Sequence, residues 1–126
     1  MYLRFTVTEI DDNSRREKGV ISAAYELLDS GDLGAEEHVR LRELMDWFEK
    51  NLPNPPDDFY ASRAIFWFRS DAKENIDRIW EVILILRENG YHVNVLKCQF
   101  LANVSFRDRF QVASYPSARD SSIIKT

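Results

Sequence analysis

Residues 62–96 read SRAIFWFRSDAKENIDRIWEVILILRENGYHVNVL, and their reading decides the fold. Ala64 to Phe68 is a short apolar and aromatic run of strand length, and Ser70-Asp71 behind it offers helix-capping oxygens. Ala72, Ile76, Ile79, Trp80, Ile83 and Leu86 then recur at the three- and four-residue spacing of one helix face, and Gly90 stands where a left-handed cap ends a helix. Tyr91 to Leu96 resumes strand character. The segment predicts strand, helix, strand, with a helix of about 19 residues and roughly 28 Å. The handedness rule makes this a right-handed crossover with parallel pairing of its two strands.

Working outward, Leu3, Phe5 and Val7 alternate with Tyr2, Arg4, Thr6 and Thr8, which predicts a strand over Met1 to Ile10 with one buried face. Ser14-Arg15-Arg16-Glu17 has the form of a capping box, opening a helix to about Ser30 with a stripe of Val20, Ala23, Ala24, Leu27 and Leu28. Gly31 and Gly34 turn the chain into a second helix over about Ala35 to Asn51. There Glu36 and Glu37 oppose the positive end of the dipole, and Leu41, Leu44, Met45, Phe48 and Leu52 share a face. Pro53, Pro55 and Pro56 forbid continuation, so Asn54 to Ser62, with Asp57, Asp58, Phe59 and Tyr60, is expected as an extended loop. After the third helix come a strand over His92 to Cys98 and two more strands meeting near Arg107-Asp108; Pro116 ends the last of them.

The predicted order is β-α-α-β-α-β-β-β: a single α+β domain over residues 1–117, with a mixed sheet packed by helices on one face. Ala118 to Thr126 is Ser-rich and is expected to be a flexible C-terminal tail. A chain of 126 residues, 44% hydrophobic, suits one core and is short for two. Its charge is uneven: Met1 to Arg63 carries 8 basic and 14 acidic residues, Ala64 to Thr126 carries 9 and 7. A broad phosphate-binding face is thereby disfavoured in the first half, while a small anion-seeking patch remains open in the second.

The lone Cys98 cannot form an intramolecular disulfide, no signal segment precedes the first strand, and the longest apolar run, Val82 to Leu86, is too short to span a bilayer. A cytoplasmic protein with no membrane contact is expected. No phosphate loop, dinucleotide glycine pattern or serine elbow occurs, and neither His38 nor His92 has a partner at metal-ligand spacing. Asp57-Asp58 and Glu36-Glu37 are explained by loop solvation and dipole compensation. No catalytic constellation, metal or cofactor is expected.

What stands out is apolar surplus. Val82, Leu84 and Ile85 widen the stripe of the third helix beyond one face, so either that helix is sandwiched or its spare face meets a partner. Phe66, Trp67 and Phe68 are consecutive on one strand, so either both sheet faces are buried or rings are exposed. The first expectation is a non-enzymatic interaction or regulatory module, self-association being one form, with a surface drawn from Val82, Leu84, Ile85, Trp67, Phe59, Tyr60, Arg107 and Arg109. An alternative is weak single-stranded nucleic-acid binding, Trp67 stacking bases beside Arg63, Arg69, Arg107 and Arg109. Another is a small-molecule enzyme using His92 with a carboxylate brought to it by folding.

Met1-Tyr2-Leu3-Arg4-Phe5, Gly19-Val20, Ala23 to Leu27, Trp47 to Pro53, Ala64 to Phe68, and Asp71 to Glu74 through Gly90 give the chain a resemblance. It resembles a group of small bacterial proteins of the same length and element order, which have no assigned function. Where that group has a Pro-Gly-Tyr turn and an acidic strand end, this chain has Leu101-Ala102 and Phe106-Arg107. The resemblance implies the fold and brings no activity, cofactor or partner with it.

Overall fold

The period-two alternation of the first ten residues makes β1 (Tyr2–Ile10) a two-faced strand, and the rest of the sheet assembles along both its edges. The computed structural model describes residues 1–10, 17–53 and 64–126. In chain order β1 is followed by β2 (Glu17–Gly19), α1 (Val20–Ser30), α2 (Ala35–Asn51), β3 (Ile65–Arg69) and α3 (Lys73–Glu88). Then come β4 (Val93–Cys98), β5 (Val104–Arg107), β6 (Gln111–Ser114) and β7 (Ile124–Lys125). The α+β class and element order match the sequence expectation, with β2 and β7 as two short additions.

The sheet runs β5-β6-β3-β1-β4-β7, and β2 pairs with the outer half of β1. Every described pairing is antiparallel, so the expected mixed sheet with directly paired crossover strands is corrected. β3 and β4 do run parallel, but β1 lies between them, Leu3 pairing Phe68 on one side and Lys97 on the other. A strand 60 residues away in sequence occupies the slot, which local patterning has no means to register.

Register sets two faces. Phe5, Val7, Val93 and Val95 join the buried stripes of all three helices in one core. On the opposite face Trp67, Cys98, Val112, Ile65 and Leu101 form a second, smaller cluster with Tyr2 and Leu96. The stripe Val20, Ala23, Ala24, Leu27 and Leu28 is buried in α1 as read, and Gly31 closes that helix at a φ of 77°, where a side chain would be strained.

Three local readings change. Ser14 to Arg16 lies outside the described residues, and Glu17 is in β2 rather than a capping box; α1 begins at Val20 after Gly19. α3 is 16 residues long, and its N-cap is Ala72 with no side-chain cap, because Asp71 turns back to pair with Arg69. The segment from Ala118 onward, expected as a flexible tail, packs against the second sheet face and ends in β7 beside β4. It is held by polar groups rather than apolar ones. The Ser121 hydroxyl accepts from the amides of Gln99 and Phe100, both at 2.9 Å, Asp120 accepts from Ala102 at 2.8 Å, and Thr126 exchanges backbone hydrogen bonds with Val95.

Glu17 draws this face together. Its carboxylate accepts from Thr6 at 2.9 Å and from Asn94 at 3.4 Å, and pairs with Lys125 at 3.3 Å, linking β2, β1, β4 and β7. Burial alone would raise its pKa, but the hydrogen bonds from Thr6 and Lys125 outweigh it and hold the carboxyl below its ordinary value. Because the folded-state pKa is depressed, the stabilisation is present above the unfolded-state pKa of about 4.3 and is lost as pH falls through the folded-state value. Glu17→Gln is expected to cost about 1–2 kcal/mol at pH 7, with the gap to wild type closing toward pH 3, in denaturant melts across that range. A gap that does not change with pH contradicts this role.

Candidate functional site

The residues expected to form an interaction surface separate into three groups. Val82 (0% exposed) and Ile85 are core, as is Trp67, which is 1% exposed. Leu84 is 59% exposed, and Arg107 and Arg109 are exposed on the β5–β6 hairpin. Phe59 and Tyr60, with Asp57, Asp58 and Arg63, lie outside the described residues.

The burial of Val82 and Ile85 corrects the idea that they form a spare face of α3. The helix packs against α1 and α2 as well as the sheet, so its buried arc is wider than one stripe. Trp80 moves in the opposite direction. Assigned to the core by its spacing, it is 42% exposed at the margin of the helix layer. Phe5 meets its ring edge-on at 5.5 Å, and the Arg87 guanidinium lies 6.0 Å from its centroid, so the indole is supported from two sides while part of it faces solvent.

With Leu84 one turn on, Trp80 sits in an outward ridge of Lys73, Asp77, Trp80, Leu84 and Arg87, all exposed. The spacing is four, three, four and three residues, and at 100° per residue the five fall within an arc of about 80°. Asp77 makes no ion pair with a described residue. The other flank of α3 is tied down: Glu81 pairs with Arg40 of α2, and Arg78 lies 4.3 Å over the Trp47 ring. The ridge was missed in the sequence because Trp80 also fits the core period. The signal that could have found it is the repeat of Lys73, Asp77, Trp80, Leu84 and Arg87 at alternating four- and three-residue spacing.

Trp67 faces the second cluster, where a cleft of about 540 Å³ opens between the sheet and the C-terminal segment, walled by Arg4, Ile65, Leu96, Pro116 and Ile123. A ring so buried offers no face for a base to stack on, and the nucleic-acid reading loses its platform. Cys98 is buried in the same cluster, its thiol 3.2 Å from the Phe100 carbonyl and the Ser121 hydroxyl. His92 is exposed just before β4 and makes no hydrogen bond or ion pair with a described residue, so no described carboxylate stands beside it to complete the proposed base. Among the described residues no cluster of His, Cys, Asp or Glu could hold a metal ion, and no helix is long and apolar enough to cross a membrane.

Comparison with protein-family models, with curated proteins and with solved structures finds no match.

The burial contrast between the indoles is directly measurable. In dilute protein, Trp80→Phe is expected to lower the acrylamide-quenchable tryptophan emission to that of the half-buried Trp47, and Trp67→Phe to leave it in place. Loss of quenchable emission in Trp67→Phe instead would contradict the placement of both rings.

Proposed function

We propose that the protein is a non-enzymatic interaction module that works by self-association through the outer ridge of α3. One observation carries the reading: the ridge is self-complementary. If two copies of α3 lie antiparallel about a two-fold axis passing at Val82, Trp80 meets the partner's Leu84 and Asp77 meets the partner's Arg87. Each contact occurs twice, and the alternating four- and three-residue spacing is that of a helix–helix seam.

Trp80 supplies the anchor. A tryptophan held by Phe5 from below loses little freedom when covered, and aromatic anchors with charged rims carry most of the energy of small interfaces. A contact made by one helix from each copy lies at the small end of specific interfaces, so the dimer is expected to be weak, with a Kd on the order of tens of micromolar. Each exposed Asp77–Arg87 pair contributes about 0.2–1 kcal/mol.

Sedimentation equilibrium over a concentration series tests the reading. Leu84→Glu is expected to give monomer throughout. Asp77→Arg and Arg87→Asp each set like charges in opposition and should weaken association about tenfold, which is about 1.4 kcal/mol. The double variant restores opposite pairing and should recover wild-type affinity. A wild type that stays monomeric at millimolar concentration, or a double variant weaker than both single ones, overturns the proposal.

A further inference from the structure

The sheet face opposite the helices carries a feature that the ridge of α3 does not use. Strands β1, β3 and β4 form one side of the cleft of about 540 Å³, and the segment from Pro116 to Ile123 forms the other. The volume is that of a small-molecule site. Ile65, Leu96, Pro116, Ala118 and Ile123 make much of the wall apolar.

The polar side chains of the wall are engaged within the protein, with one exception. Both oxygens of the Glu17 carboxylate accept, one from Thr6 and Asn94 and the other from Lys125. Asp120 accepts from the amides of Ala102 at 2.8 Å and Ser117 at 3.1 Å. Arg4 donates to the carbonyls of Phe66 and Glu17, and the hydroxyls of Ser117 and Ser121 accept from backbone amides. Trp67 is the exception. It lines the cleft from β3, yet its Nε1 is buried and has no hydrogen-bond partner among the described residues.

The sign of that vacancy fixes what can fill it. An indole nitrogen donates and never accepts, so its partner must be an acceptor. Leaving the donor buried and unpaired is unfavourable, and an acceptor brought in by a ligand removes that cost. A hydroxyl would bring a donor of its own to a wall whose acceptors are already taken, whereas a carbonyl oxygen only accepts. Charge narrows the class further. Arg4 and Lys125 balance Glu17 and Asp120 in number, so the cleft favours a ligand of neither sign.

We propose that this cleft binds a small neutral carbonyl compound, a ketone or ester, whose oxygen accepts from the Trp67 indole N–H. Its apolar body lies against Ile65, Leu96 and Ile123. The site belongs to the second sheet face, so it does not depend on self-association through α3.

A proton–nitrogen NMR titration of the whole chain with acetophenone, and with ethylbenzene as the same body without the carbonyl, decides the matter. The Trp67 indole N–H resonance is identified by elimination in Trp47→Phe and Trp80→Phe, which leave the cleft untouched. Acetophenone is expected to move that resonance downfield and saturably, while the other two indole N–H signals stay in place. Ethylbenzene should bind about fivefold more weakly, because it leaves the donor unpaired. Ala118→Phe, a change at an exposed position of the wall, should weaken acetophenone binding by narrowing the cleft, and Leu84→Glu should leave it unchanged. A Trp67 signal that does not move or does not saturate, or an Ala118→Phe variant that binds like wild type, overturns the site. Equal affinity for the two compounds overturns the assignment to a carbonyl ligand.

Discussion

The whole structure depends on one strand being paired along both edges and buried on both faces. β1 takes β4 along one edge and shares the other between β3 and β2. Phe5 and Val7 enter the helix-side core, while Arg4 and Thr6 on the opposite face are buried as well. Burying polar side chains on a central strand obliges the fold to supply partners, because an unpaired polar group in a protein interior is expensive. Glu17 and the backbone carbonyls supply them: Thr6 donates to the Glu17 carboxylate, and Arg4 donates to the carbonyls of Phe66 and Glu17. The serine-rich C-terminal segment covers this face with hydrogen bonds where it has little apolar surface to give.

The helix side follows from the same constraint. Three helices share one face of a sheet whose centre is β1, so α3 is enclosed by α1, α2 and the strands, and Ile79, Val82, Ile83 and Leu86 all find cover. What remains outside is narrow. Trp80 and Leu84 are left at the margin with Asp77 and Arg87 on either side of them, and that arrangement supports pairing with a second copy better than it supports chemistry. The ridge runs nearly the length of α3, from Lys73 to Arg87, with Trp80 and Leu84 at its middle and charged residues toward both ends.

Much of the fold was legible because its signals are local. The stripe of α1, the acidic first turn of α2, the strand over Ile65 to Arg69 and the glycine stop at Gly90 all follow from periodicity and backbone preference. What was not legible depends on distant residues. Nothing near Ile65 or Val93 signals that β1 will lie between their strands. Periodicity places Val82, Ile85 and Trp80 around a helix axis but does not say how wide the buried arc is; that width was set by where α1 and α2 sit. Asp71 could have capped α3 or paired with Arg69, and it pairs with Arg69. Of the site residues chosen from sequence, Leu84 lies in the ridge of α3 and Arg107 and Arg109 are exposed on the β5–β6 hairpin, while Trp67, expected as part of a surface, is buried.

The antiparallel pairing of α3 across a two-fold axis is the central claim, and spin-label distances test it most directly. With single labels introduced at Lys73→Cys in a Cys98→Ala background, pulsed dipolar spectroscopy at high protein concentration should read an intermolecular distance of roughly 30 Å, since the two positions stand about 27 Å apart along the helix axis. A label at Glu88→Cys should read shorter, its axial separation being about 18 Å. Equal short distances at both positions, as a parallel pairing would give, or no intermolecular coupling at any concentration, would contradict the account.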